Sequence, residues 1–210
     1  MWSHLPLRPR LYAVIGLAVI VGYIVASIKH GSLFPPMDKA LVNILVSAPI
    51  VALVGLIIGT MRWSWSLFGM LGGKNWFPDL NGVWQGPLNS TYTDNTDASG
   101  TVIIMRIDQR WTKLHVSTES ADGYMTSETV TASPRIEDGK PVLWLNFKAT
   151  VPDALPTDEK MFYGSSRLVY DSSNDTIRGM HWTNRASQQG LNTSGSFELS
   201  RISNNPEEGI

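Results

Sequence analysis

The sequence predicts an N-terminal two-helix transmembrane hairpin followed by an all-β domain, an up-and-down antiparallel barrel of about eight strands. Two apolar runs at 11–28 and 40–61 contain no charged residue, whereas residues 80–202 read as short alternating runs separated by turn residues. Charge divides at the same boundary. Six Lys/Arg stand against one Asp before Asn75, and eleven Lys/Arg against seventeen Asp/Glu from there on.

As helices the two runs would be about 27 and 33 Å long, close to the hydrocarbon thickness of a bilayer. A backbone in lipid must satisfy its own hydrogen bonds, and continuous apolar runs do so as helices. Arg8 and Arg10 before the first run and Ala26-Ser27 near its end would also suit a secretory signal. That stretch is longer than an ordinary signal core, and a second span follows after a short link. Arg8, Arg10, Arg62 and Lys74 flank the outer ends of the spans, and the link carries only Lys29 and Lys39 with His30 and Asp38. This basic bias favours both termini in the cytoplasm. Trp63, Trp65, Phe68, Trp76 and Phe77 suit an interfacial belt or the underside of the soluble domain. Gly16, Gly22, Ala48, Gly55 and Gly59 would allow close helix contact. The expected division is a membrane domain over 1–74, a cytoplasmic barrel over 75–203 and a disordered tail over 204–210.

In the β region the first strand, 80–88, places Leu80, Gly82, Trp84, Gly86 and Leu88 on one face. Strands follow at 101–110, with Ile103, Met105 and Ile107 inward, and at 112–118, with Leu114 and Val116 inward. The stretch 124–131 is rich in Thr and Ser and has the weakest pattern, whereas 142–151 alternates cleanly, with Leu143, Leu145, Phe147 and Ala149 on one side. Runs at 161–170, 176–185 and 191–202 complete the set. The turn signals Asp122-Gly123, Glu137-Asp138-Gly139, Asp171 to Asp175 and Gln188-Gln189-Gly190 leave short connections, so sequence neighbours should pair in space. With no helix to cover a sheet face, closure into a barrel removes the exposed edges.

The composition excludes several functions. The chain has no cysteine, which rules out disulfides, thiolate metal sites and cysteine nucleophiles. His4, His30, His115 and His181 are scattered without metal-ligand spacing, and there is neither a nucleophile elbow nor a phosphate-binding glycine loop, so neither an enzyme nor a bound cofactor is expected. The acidic soluble part argues against a nucleic-acid polymer as partner, because such binding depends on many cationic contacts to phosphates.

Asn81-Gly82-Val83-Trp84 resembles the Gly-x-Trp opening of lipocalin- and avidin-like barrels, and Gly195 to Arg201 is similar to their closing strand. In such folds that Trp plugs the closed end of the barrel and an Arg from the last strand covers it. The resemblance therefore implies structural roles for Trp84 and Arg201. The whole chain, with its Pro78-Asp79-Leu80-Asn81-Gly82-Val83-Trp84-Gln85-Gly86 and Trp182-Thr183-Asn184-Arg185 segments, resembles a narrower family. These are the two-transmembrane, β-strand-rich effectors of bacterial cyclic-oligonucleotide-based antiphage signalling systems (CBASS). The resemblance implies an inner-membrane protein whose barrel binds a cyclic dinucleotide made by a partner nucleotidyltransferase. Self-association and disruption of the membrane lipids would follow, killing the infected cell.

A cyclic dinucleotide calls for planes against its bases and donors for its phosphates. Trp182, Thr183, Asn184 and Arg185 supply a plane, a hydroxyl, an amide and a guanidinium in succession. His181, the polar row Tyr163, Ser165 and Arg167, and Tyr92 with Thr93 at the barrel mouth are the other candidates. Alternation separates Ile177, Gly179, His181 and Thr183 from Arg178, Trp182 and Asn184 but does not say which set faces inward. Two other readings stay open: a membrane-tethered binding module for a lipophilic or other small molecule, and a barrel with a filled core that docks a protein partner through Trp111, Trp144 or the acidic loops.

Overall fold

A computed structural model describes residues 7–31, 36–59, 77–91, 101–110, 113–154, 159–189 and 192–207. They form two units, a helical hairpin and a β-barrel. In the hairpin, α1 (Leu7–His30) and α2 (Met37–Gly59) pack against each other. Gly22 lies so close to the backbone of Ile44 that a Cβ there would overlap it. Ala26 and Ser47 are buried, while Ile20, Ile24 and Ile28 of α1 and Leu41, Leu45, Ile50, Leu53 and Ile57 of α2 are exposed. Such a surface is unfavourable in water and suited to lipid. Among the described residues, Met37–Gly55 is long and apolar enough to cross a membrane, and Val19–His30 is a shorter apolar stretch.

The second unit is a closed barrel, with strands in the order β1 to β8 and β8 back on β1. The strands are β1 (Gly82–Ser90), β2 (Thr101–Gln109), β3 (Leu114–Ser120), β4 (Thr126–Glu137), β5 (Lys140–Thr150), β6 (Met161–Asp171), β7 (Thr176–Thr183) and β8 (Ser194–Ser203). All adjacent pairs are antiparallel, so the expected meander is the observed one. Asp138 and Gly139 both have positive φ between Glu137 and Lys140, which is the geometry of a type I′ hairpin turn matched to strand twist.

Most strands shift by one to three residues from the sequence reading, among them β1 (Gly82–Ser90 rather than 80–88) and β3 (Leu114–Ser120 rather than 112–118), and β4 departs furthest. β4 runs on to Glu137 instead of ending at 131, because its partner β5 carries it past a bulge that breaks the alternation at Val130. β7 ends at Thr183 rather than 185, and β8 starts at Ser194 rather than 191. Beyond β8, residues 204–207 form a turn in which Pro206 is buried.

The inward side chains change character along the barrel. At the end where β1 begins, Leu80, Trp84, Ile107, Leu143, Leu168, Ile177 and Leu199 form a fully buried apolar layer. Toward the other end buried Ser120, Ser127, Ser166 and His181 stand beside a smaller apolar cluster of Ala149, Val151 and Phe162. Two aromatic rings fill the middle. Phe197 covers Gly179 and Phe147 covers Gly164, each so closely that a Cβ on the glycine would overlap the ring.

Candidate functional site

Strand register gathers aromatic, amide and hydroxyl side chains on the outer wall of β5, β6 and β7. Asn146, Ser165 and Trp182 stand directly opposite one another, and the next row is Lys148, Tyr163 and Asn184. Facing side chains in such rows lie within about 5 Å of each other. Trp182 and Tyr163 are 41% and 50% exposed although both are large aromatics. The residues of the two rows other than Lys148, together with Phe147, Gly164, Thr183, Asn192 and Val130, line a groove of about 460 Å³. That volume lies within the range of small-molecule sites. Val130 reaches the groove because β4 bulges between Thr129 and Thr131, leaving it opposite no residue of β5.

The polar groups of the groove are held in fixed orientations. Asn146 Nδ2 donates to Thr131 Oγ1 at 2.8 Å, and Ser165 Oγ donates to Asn146 Oδ1 at 2.7 Å. The backbone N–H of Tyr163 donates to Asn184 Oδ1 at 2.7 Å, while the Asn184 N–H returns to Tyr163 O at 2.9 Å. Two cations flank the wall. Lys148 is opposite Tyr163, and Arg167, opposite Trp144 and Met180, lies one rung beyond Ser165. Arg167 Nη2 is 3.0 Å from Glu137 Oε2, and its guanidinium stands 5.8 Å from the centre of the Trp144 ring. The Trp144 indole also donates to Glu137, and this bond, with that from Arg167, holds the carboxyl below the ordinary glutamate range.

The sequence candidates therefore separate. Trp182, Thr183, Asn184 and Tyr163 meet at the groove, and Arg167 borders it. His181 and Arg185 lie elsewhere. His181 belongs to the inward set with Ile177, Gly179 and Thr183; it is buried, and its Nδ1 has no hydrogen-bond partner. Burial keeps its imidazole below the ordinary histidine pKa, so it is neutral at physiological pH. Arg185 is buried, its guanidinium 5.2 Å from the centre of the Phe162 ring and 6.0 Å from that of Tyr124. Tyr92, Thr93 and Trp111 lie outside the described residues. Asn146, Lys148, Val130 and Asn192 were not singled out from the sequence. Alternation against the inward Leu145 and Phe147 marks Asn146 and Lys148 as outward, but only register puts them beside Tyr163 and Trp182.

Trp84 and Arg201 occupy the closed end. The indole is completely buried and donates to Leu80 O at 3.0 Å, with the Arg201 guanidinium 4.1 Å above its ring. Arg201 also donates to the Asn81 and Asp79 carbonyls and to the Asp175 carboxylate.

Aromatic planes beside amides and a hydroxyl, bordered by two cations, suit a ligand with flat bases and phosphates. The family model of the Cap15 cyclic dinucleotide receptor domain matches residues 75–201, which span the barrel and more than half of the chain. The chain belongs to the Cap15 family. Over 202 residues it is also 29% identical to the CD-NTase-associated protein 15 of Escherichia albertii, covering 96% of this chain and 98% of that protein. The Cap15 barrel is thus a cyclic dinucleotide receptor domain carried by a CBASS effector, as the sequence resemblance implied.

Proposed function

We propose that this Cap15 chain is a membrane-anchored switch whose outer-wall groove binds a cyclic dinucleotide and whose helical hairpin then assembles and disrupts the bacterial inner membrane. The observation that carries the reading is the paired register of Asn146, Ser165 and Trp182 with Lys148, Tyr163 and Asn184 on one wall. Trp182 and Tyr163 serve as stacking planes, the amides and Ser165 as base-edge partners, and Lys148 and Arg167 as the cations nearest the phosphates. The nucleotide comes from a partner nucleotidyltransferase, a reading supported by the name of the Escherichia albertii relative.

In this reading residues 1–74 form the membrane domain, with spans at 11–28 and 40–61, and residues 75–203 the receptor, with both termini in the cytoplasm. The exposed apolar faces of α1 and α2 support the membrane assignment, and Arg8, Arg10, Arg62 and Lys74 support the orientation. Ligand drives assembly only by binding the assembled state more tightly. A tenfold preference is worth about 1.4 kcal/mol per protomer, and summed over several protomers it makes the response steep.

Calorimetry on the full chain in detergent, with a panel of cyclic dinucleotides, tests the site. Trp182→Ala should weaken binding about five- to a hundredfold, as loss of one stacked base does, and unchanged affinity would remove the groove from the reading. Dye release from vesicles containing the protein tests the actuator. Release should follow ligand addition and be lost in Gly22→Leu, whose side chain has no room against Ile44, while ligand still binds, weaker by no more than the roughly tenfold that assembly contributes. Ligand-independent release would break the proposed coupling.

A further inference from the structure

Arg167 borders the groove but points away from it. On the groove side its neighbour on the same face of β6 is Ser165, two residues or about 7 Å along the strand. Its ion-pair partner lies in the other direction. Glu137 ends β4 opposite Lys140 of β5, and Lys140 is four residues beyond Trp144 on the side away from Asn146 and the groove. To bring Nη2 within 3.0 Å of Glu137 Oε2, the Arg167 side chain extends along the wall toward that hairpin tip, its guanidinium 5.8 Å from the centre of the Trp144 ring. The second carboxylate oxygen, Oε1, accepts the Trp144 indole N–H at 2.8 Å. A guanidinium and a neutral N–H that meet two oxygens of one anion are the donors a phosphate would also take, and here the anion comes from the chain itself. The pair is partly open to water, with 37% of the Arg167 side chain and 30% of the Glu137 side chain exposed, and pairs of that kind are held weakly. Release would strand neither charge. Lys140 faces Glu137 across the hairpin and Arg135 precedes it by two residues on the same face, while Arg167 turned back toward Ser165 would reach the groove.

We propose that Glu137 is an intramolecular competitor of the ligand: its carboxylate holds Arg167 retracted from the groove, and a phosphate of the cyclic dinucleotide displaces it and draws the guanidinium over. This rests on the reading that the groove is the nucleotide site. A receptor whose Arg167 is retracted most of the time shows an affinity reduced by the fraction in which it is free. Glu137 therefore sets the nucleotide concentration at which the receptor responds.

The test is calorimetry on the full chain in detergent, with whichever of cyclic di-GMP, cyclic di-UMP and cyclic di-AMP binds wild type most tightly. Glu137→Gln keeps the side-chain length and an acceptor for the Trp144 indole but gives up the charge that holds Arg167. Affinity should rise about two- to fivefold, the worth of a pair this exposed. Loss of any nearby negative charge favours an anionic ligand, so a double-mutant cycle decides between displacement and charge alone. Arg167→Gln should bind more weakly than wild type, and adding Glu137→Gln to it should recover little of that gain. A gain of equal size with and without Arg167 overturns the proposal, and so does an affinity that Glu137→Gln leaves unchanged or lowers. If Glu137→Gln melts early, Glu137→Ala, which removes the reach to Arg167 altogether, should show the same gain and the same dependence on Arg167. Trp182→Ala separates the two layers: binding that falls in Trp182→Ala but gains nothing in Glu137→Gln removes only the role of Glu137, whereas binding insensitive to Trp182→Ala removes the site itself.

Discussion

The two ends of the barrel are built on different terms. At the closed end Gln109 is completely buried; its Oε1 accepts the Leu80 N–H at 2.8 Å and its Nε2 donates to Pro78 O at 3.0 Å. Asn81 accepts from the Gln109 N–H at 2.6 Å and donates to the Gln109 carbonyl at 2.8 Å. With Trp84 under Arg201, these polar groups are matched one to another inside the fold, and of the described residues at that end Thr176 is the exception, its buried Oγ1 without a partner. Toward the open end, His181 is buried with an unpartnered nitrogen, and Asn146 and Asn184 use part of their hydrogen-bonding capacity internally and turn the rest to the groove. A saturated network specifies one structure, whereas unsaturated groups on a rigid wall are available for a ligand. In the proposed reading, stability and recognition thus fall at opposite ends of the same strands.

Substitutions should respect that division. Trp84→Ala removes the buried plug and leaves Arg201 uncovered, so we expect a loss of about 3–5 kcal/mol in denaturant unfolding; a variant as stable as wild type would mean that the closed end does not anchor the barrel. Gln109→Leu strands the Leu80 N–H and the Pro78 carbonyl, at about 1–3 kcal/mol, with little direct effect on ligand affinity. Tyr163→Ala should do the reverse. Its ring is half exposed, so the melting temperature should scarcely move while nucleotide affinity drops about five- to a hundredfold. A large loss of stability without a loss of affinity would merge the two ends into one.

The smallest expected effect is a pH dependence. The folded-state pKa of His181 is lowered by burial, so the unfolded chain binds the proton more readily. The stability this histidine contributes is complete above its unfolded value near 6.5 and is lost as pH falls toward the folded value. The melting temperature should therefore decline as the buffer is taken from neutral to mildly acidic, and His181→Leu should flatten that slope. An unchanged slope would assign the acid sensitivity to the carboxylates.

Much of this architecture was legible in the chain because most strands alternate cleanly and their turns announce themselves. β5 shows its inward set, Leu143, Leu145, Phe147 and Ala149, without ambiguity. β4 did not, because the extra residue Val130 shifts its pattern by one and Pro134 interrupts what would otherwise read as a strand; its length is set by pairing with β5. The candidate groove was half legible. Trp182, Asn184 and Tyr163 do meet there, but alternation alone gives two faces without naming the outer one, and Asn146 and Lys148 acquire meaning only when register lays β5 beside β6. Arg185 was placed with its sequence neighbours although the strand ends at Thr183. Two residues later the chain no longer alternates, and the guanidinium packs over Phe162.

Photo-crosslinking tests the central claim most directly, using the full chain in detergent, a cyclic dinucleotide with an azide on its base, and peptide mass mapping of the adduct. The outer-wall account predicts adducts on Trp182, Tyr163 or Val130, competed away by unmodified ligand. Competed adducts confined to inward residues such as His181, Arg185 or Phe162 would contradict it and move recognition inside the barrel.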